Sequence, residues 1–120
     1  MAGETYEVDR GETARFCVSF PLGTVLTNYA CVGGMRALVP GEREPREDAE
    51  SVDFTVTSFA GDAEFGPGFY LTLSPTASLA TTQAHYKATA RITAPGGDVS
   101  MANWFVRMVE PGFAEALVGV

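Results

Sequence analysis

AHYKATARITAPGGDVSMANWFVRMV, residues 84–109, decides the fold. It divides into two runs, Ala84–Ala94 and Val99–Val109, on either side of Pro95-Gly96-Gly97-Asp98. In the first run Tyr86, Ala88, Ala90 and Ile92 fall on one face, and His85, Lys87, Thr89, Arg91 and Thr93 on the other. In the second, Ala102, Trp104, Val106 and Met108 share a face opposite Asn103 and Arg107. Side chains of an extended chain point alternately to opposite sides, so this two-residue period across a Gly-containing turn predicts a β-hairpin with one dry face. Such a face must lie on a second layer. Trp104 heads it.

Working outward, the upstream chain supplies that layer. Thr5–Val8 reads as a short edge strand, closed by the turn Asp9-Arg10-Gly11-Glu12. Thr13–Phe20 alternates, with Ala14, Phe16, Val18 and Phe20 opposite Thr13, Arg15, Cys17 and Ser19, until Pro21 breaks it. Val25–Leu38 is apolar on both faces, as a central strand is. Gly33-Gly34 inside it predicts either a bulge or a backbone packed close against a neighbour. Val52–Phe59 resumes the alternation with Val52, Phe54 and Val56 inward. Turns at Gly61–Glu64 and Gly66-Pro67-Gly68 follow, and then a strand at Phe69–Leu73. Ser74 can cap a single helical turn over Pro75–Leu79, with Pro75 at its first position.

These readings predict an all-β chain, a two-sheet sandwich of seven or eight antiparallel strands. Its expected core is Phe16, Val18, Phe20, Val32, Phe54, Val56, Leu71, Tyr86, Ile92, Trp104 and Val106. Each large apolar side chain fully buried contributes roughly 1.5–3 kcal/mol. The domain is expected over residues 1–112, followed by an apolar C-terminal arm, Phe113–Val120. That arm either folds back onto the body or docks on another subunit.

Composition narrows the function classes. The 120 residues have the size of one ordinary domain, with 46% hydrophobic and 19% charged residues. Fifteen acidic groups face eight basic ones, a formal charge of −7. That balance opposes direct binding to nucleic acid or to an anionic membrane, both of which need clustered Lys and Arg. The start, MAGETYEVDR, carries acids where a signal peptide carries bases and has no apolar segment, so synthesis and retention in a cytoplasm are expected. Cys17 and Cys31 are then expected to be free thiols, although they could lie near each other on adjacent strands.

No residue constellation points to catalysis, and no cofactor or metal is expected. His85 is the only histidine and alternates onto the polar face. Asp53, Asp62, Glu64 and Asp98 sit on turns or outward positions with no apolar context to raise a pKa. The stretch PGEREPREDAE, Pro40–Glu50, holds seven charged residues in eleven but lacks the carboxylate spacing of a calcium loop. It reads as a solvated, mobile loop.

The order of elements carries a resemblance. It runs through Arg10-Gly11-Glu12-Thr13-Ala14-Arg15-Phe16, Gly33-Gly34-Met35-Arg36, Val52–Val56 and Gly68–Ser74, and ends with Tyr86–Ile92, a Gly turn and Trp104–Pro111. Across residues 5–111 this resembles the immunoglobulin-like β-sandwich module of tailed-bacteriophage virion proteins, known from the N-terminal domain of baseplate upper proteins and from tail- and head-fibre proteins. The chain departs from that family in having no helical or fibrous extension, and in Leu26-Thr27-Asn28-Tyr29 at the start of the third strand. The resemblance implies a non-enzymatic structural protein of the virion, made in the host bacterial cytoplasm. It would be a small tail or baseplate module that binds other virion proteins and copies of itself. Two alternatives stand beside it: a capsid decoration protein on the phage head, and a soluble carbohydrate- or protein-binding sandwich. Partner contacts are expected at Phe113, Leu117, Val118 and Val120 in the arm, and at Tyr6 and Val8 on the first strand.

Overall fold

The computed structural model describes residues 4–110. In chain order the strands are β1 (Thr5–Asp9), β2 (Ala14–Ser19), β3 (Ala30–Ala37), β4 (Ser51–Asp53), β5 (Thr55–Phe59) and β6 (Gly68–Leu73). A one-turn helix α1 (Pro75–Leu79) follows, then β7 (His85–Thr93) and β8 (Val99–Val109). The larger sheet has the order β1-β8-β7-β3-β4, and the smaller has β2-β6-β5. The second, sixth and fifth strands thus face a sheet centred on the third, seventh and eighth, the immunoglobulin-like arrangement.

The β7–β8 hairpin pairs from His85↔Arg107 to Thr93↔Val99 without interruption. Its turn closes through Gly97 N–H donating to Ala94 O and Ala94 N–H donating to Asp98 O, with Gly97 at φ +94°. That is a conformation glycine adopts without steric cost. Tyr86, Ala88, Ala90, Ile92, Trp104, Val106 and Met108 are all buried, as the alternation requires. The short helix also stands where the sequence places it, with Ser74 Oγ accepting the Ala77 N–H at 3.1 Å.

Three expectations are corrected. First, the strands are not all antiparallel: β1 runs parallel to β8, from Thr5↔Phe105 to Asp9↔Val109. Its chain leaves through the 10–13 turn for the other sheet, so it lies alongside β8 instead of returning from it. Second, the run Val52–Phe59 is two strands, since the chain leaves the larger sheet at Phe54 and enters the smaller as β5. Alternation continues through such a corner, which is why it is invisible in the sequence.

Third, the long apolar stretch Val25–Leu38 is a strand only over Ala30–Ala37, and Val32 is 61% exposed. The face that turns inward is Cys31, Gly33, Met35 and Ala37, because Val32 shares its side with Arg36, whose charge needs water. The register with β7 is unbroken, so Gly33-Gly34 forms no bulge against it. The glycines permit close approach instead. A methyl group on Gly33 would stand 2.3 Å from Leu71 Cδ2, in the opposite sheet, and one on Gly34 would stand 2.6 Å from Val52 O. Cys17 and Cys31 are free thiols, as expected, and lie on strands that are not neighbours, one in each sheet.

The charged segment 40–50 is solvated but tied to the outer surface of the larger sheet. Arg36 Nη2 donates to Arg46 O at 2.9 Å and to Glu47 O at 2.8 Å. Lys87 Nζ meets Glu44 Oε1 at 2.5 Å, and the Arg43 guanidinium lies 5.1 Å from the Phe105 ring centroid. Most of its residues are exposed, as a solvated loop requires. A polar outer face offers such a loop donors that composition alone does not reveal.

Glu50, at the end of that segment, clasps the start of β7. Its carboxylate accepts from Tyr86 Oη at 2.6 Å and from the Thr82 hydroxyl, while the Gln83 N–H donates to Tyr86 Oη at 3.1 Å. Burial, and then the bond to Glu50, push the Tyr86 phenol from 10.0 up to about 12. Burial by itself would raise Glu50, yet the Thr82 and Tyr86 bonds outweigh it and hold this carboxyl below 4.5. A raised phenol pKa contributes stability that is complete below pH 10.0 and is lost as pH rises through about 12. The lowered carboxyl contributes stability above pH 4.5 that is lost on acidification. Tyr86→Phe leaves the Gln83 N–H and Glu50 without their partner, and is expected to cost about 1–3 kcal/mol. In urea titrations repeated across pH it should also abolish this residue's share of the alkaline loss.

Candidate functional site

Among the described residues both sheets end, on the same side of the molecule, in a strand with one partner. There β1 pairs only with β8, and β2 only with β6. Between these free edges runs a groove of about 830 Å³. Its floor is built from the inward side chains of both sheets: Val8, Ala14, Phe16, Val18, Ala102 and Trp104. Glu4, Glu7, Asp9 and Glu12 stand along the rim, with Arg15 opposite.

Two-residue periodicity explains why these residues converge. Ala14, Phe16 and Val18 occupy the inward face of β2, while Arg15, Cys17 and Ser19 are exposed. Phe16 is the centre of an aromatic cluster, 5.3 Å from the Trp104 ring, 5.6 Å from Phe54 and 5.8 Å edge-on from Tyr6. Phe54 in turn stacks on Trp104 at 6.1 Å with planes 12° apart. Only half-buried, Phe16 is the part of this cluster that the missing strand neighbour leaves uncovered. Trp104 itself is 7% exposed, and its Nε1–H is the one buried side-chain donor without an acceptor among the described residues. A buried donor left unpaired costs roughly 1–3 kcal/mol, so it marks a place where an acceptor is wanted.

The six expected partner residues divide. Phe113, Leu117, Val118 and Val120 lie outside the described residues. Tyr6 is 43% exposed on the groove rim, its hydroxyl donating to the Glu4 carboxylate. Val8 is 7% exposed and belongs to the core cluster, on the same face of β1 as Tyr6. What sequence reasoning missed is the groove, for alternation tells which face a residue takes and not whether its strand has a neighbour.

Elsewhere the surface offers less convergence. His85 is exposed on the outer face of the larger sheet, opposite Arg107. Asp53, Asp62, Glu64 and Asp98 are exposed and dispersed. Asp62 accepts the Glu64 and Phe65 N–H groups at 2.8 Å each, which hold its carboxyl below 3.8 and close the turn there. Among the described residues no three His, Cys, Asp or Glu side chains are grouped to hold a metal ion. Val32, Arg91 and Met101 form one cross-strand row on the larger sheet, with both apolar members more than half exposed. On the outer face of the smaller sheet Phe59 stacks on Tyr70 at 4.5 Å, with the Arg15 guanidinium 4.8 Å from the Tyr70 ring.

No protein-family model matches this chain, and no curated protein matches it in sequence.

Proposed function

We propose that this protein is a non-enzymatic structural subunit of a bacteriophage virion, a small tail or baseplate module that works by holding neighbouring subunits. The groove between β1 and β2 carries this reading. A free strand edge presents a row of unpaired N–H and C=O groups that template the addition of another chain. Here two such edges flank an apolar floor. The exposed row of Val32 and Met101 supplies a second contact surface of the kind an assembly subunit needs. The resemblance of residues 5–111 to phage virion modules supplies the particle; a decoration subunit on the head would use the same surfaces.

Mass spectrometry of purified phage particles tests the reading. The chain is expected among the particle proteins in many copies, and its absence would remove the proposal. Deleting Phe113–Val120 is expected to reduce incorporation into particles.

The stacked Phe59–Tyr70 pair favours a second reading, a carbohydrate-binding sandwich, because aromatic faces stack on sugar rings. Under that reading Tyr70→Ala would abolish a saturable glycan affinity. Under the assembly reading there is none to abolish.

A further inference from the structure

We propose that the groove is a strand-acceptor site filled by residues 113–120 of a second copy of this chain, paired antiparallel with the free edge of β2. The inference rests on the assembly reading and deepens it by naming the partner. Two features of the groove call for a chain segment as occupant. The edge of β2 is six residues long and, among the described residues, unpaired on the groove side. Its floor, around Phe16 and Trp104, is apolar.

The segment FAEALVGV, residues 113–120, has the matching character. Eight extended residues span about 27 Å, enough to cover a six-residue edge. In a strand, Ala114, Ala116, Val118 and Val120 share one face and can lie on the floor. Glu115, the segment's single charge, then points to water, away from the rim carboxylates Asp9 and Glu12.

Direction selects a second copy over the same one. The chain leaves β8 at Glu110, which is ion-paired with Arg10 beside the start of β2. Turned back at Pro111-Gly112, the chain's own segment would travel along β2 in the same direction as β2 itself. Antiparallel pairing is the more stable ladder. A donor from another molecule has no such restriction. Reciprocal exchange would then make a dimer, and one-way exchange a ring or filament.

Cys17 gives a direct test, because it is exposed on the outward face of β2 and lines the groove. In the full chain with Cys31→Ala, Glu115→Cys and Leu117→Cys each place a thiol on the outward face of the donated strand. Val118→Cys places one inward. Oxidised glutathione is expected to convert the first two variants into covalent dimers or larger species on non-reducing gels. The Val118→Cys chain should stay monomeric, and Cys17→Ser should abolish every cross-link. Cross-linking confined within single chains would overturn the proposal, since the arm then fills its own groove. So would no cross-linking at all, or multimers that persist without Cys17. A chain found in particles that fails this test sinks the strand exchange alone, whereas a chain absent from particles sinks the virion reading alone.

Discussion

Trp104→Ala is expected to lower the free energy of unfolding by about 3–5 kcal/mol, the range for truncating a buried aromatic residue in a core. The side chain is 7% exposed, stacks on Phe54 and touches Phe16, so its loss opens a cavity where the two sheets meet. Small domains have only about 5–15 kcal/mol in total, and the variant should therefore unfold at much lower denaturant concentration. The measurement is a guanidinium titration followed by far-ultraviolet circular dichroism, because the substitution removes the only tryptophan. Trp104→Phe is a useful contrast. It keeps an aromatic ring against Phe54 and discards an N–H that has no acceptor among the described residues, so its loss should be clearly smaller than that of alanine. Equal losses from the two variants would mean that the indole N–H is satisfied and contributes to stability.

Leu71→Ala carries the next largest expected effect, about 2–5 kcal/mol. Leu71 is fully buried on β6, between Phe16 on β2 and Val56 on β5, and its Cδ2 occupies the space over Gly33. The same contact makes Gly33→Ala unfavourable, by about 1–3 kcal/mol, since a methyl group there would lie 2.3 Å from Leu71 Cδ2. In the double variant the new methyl enters the space that the leucine vacates. The combined loss is expected to fall short of the sum of the two single losses by an amount measurable in a double-mutant cycle. Strict additivity would show that Gly33 is needed for its backbone and not for the room it leaves. The Thr89 carbonyl, 3.1 Å from the same position, limits how complete the rescue can be.

The groove was legible only in part. Tyr6 and Val8 drew notice as members of a short first strand, and they do border the opening. Their side chains share the inward face of β1, with Tyr6 edge-on to Phe16 at the open rim and Val8 deeper in the core cluster. Phe16 and Trp104 were legible as core residues. That they also line an opening depends on β2 lacking a neighbour, which alternation does not encode. Val32 went to the wrong face for a related reason. With glycines at both Gly33 and Gly34, neither side of β3 is more apolar than the other over its middle. Contact with Leu71 then selects the side that the glycine opens.

The amino-acid sequence by itself determined the strands whose two faces differ in polarity: β2, the β7–β8 hairpin and its turn, and the capped helical turn at Pro75. It determined as well that these strands must form two layers, because each has one face that water cannot favourably cover. Tertiary structure alone decided the parallel course of β1, the passage of the chain between sheets at Phe54, the exposed side of β3 and the open seam between β1 and β2. Periodicity is a property of one strand in its surroundings. Neighbours, direction and vacant edges arise only when strands far apart in the chain compete for the same space.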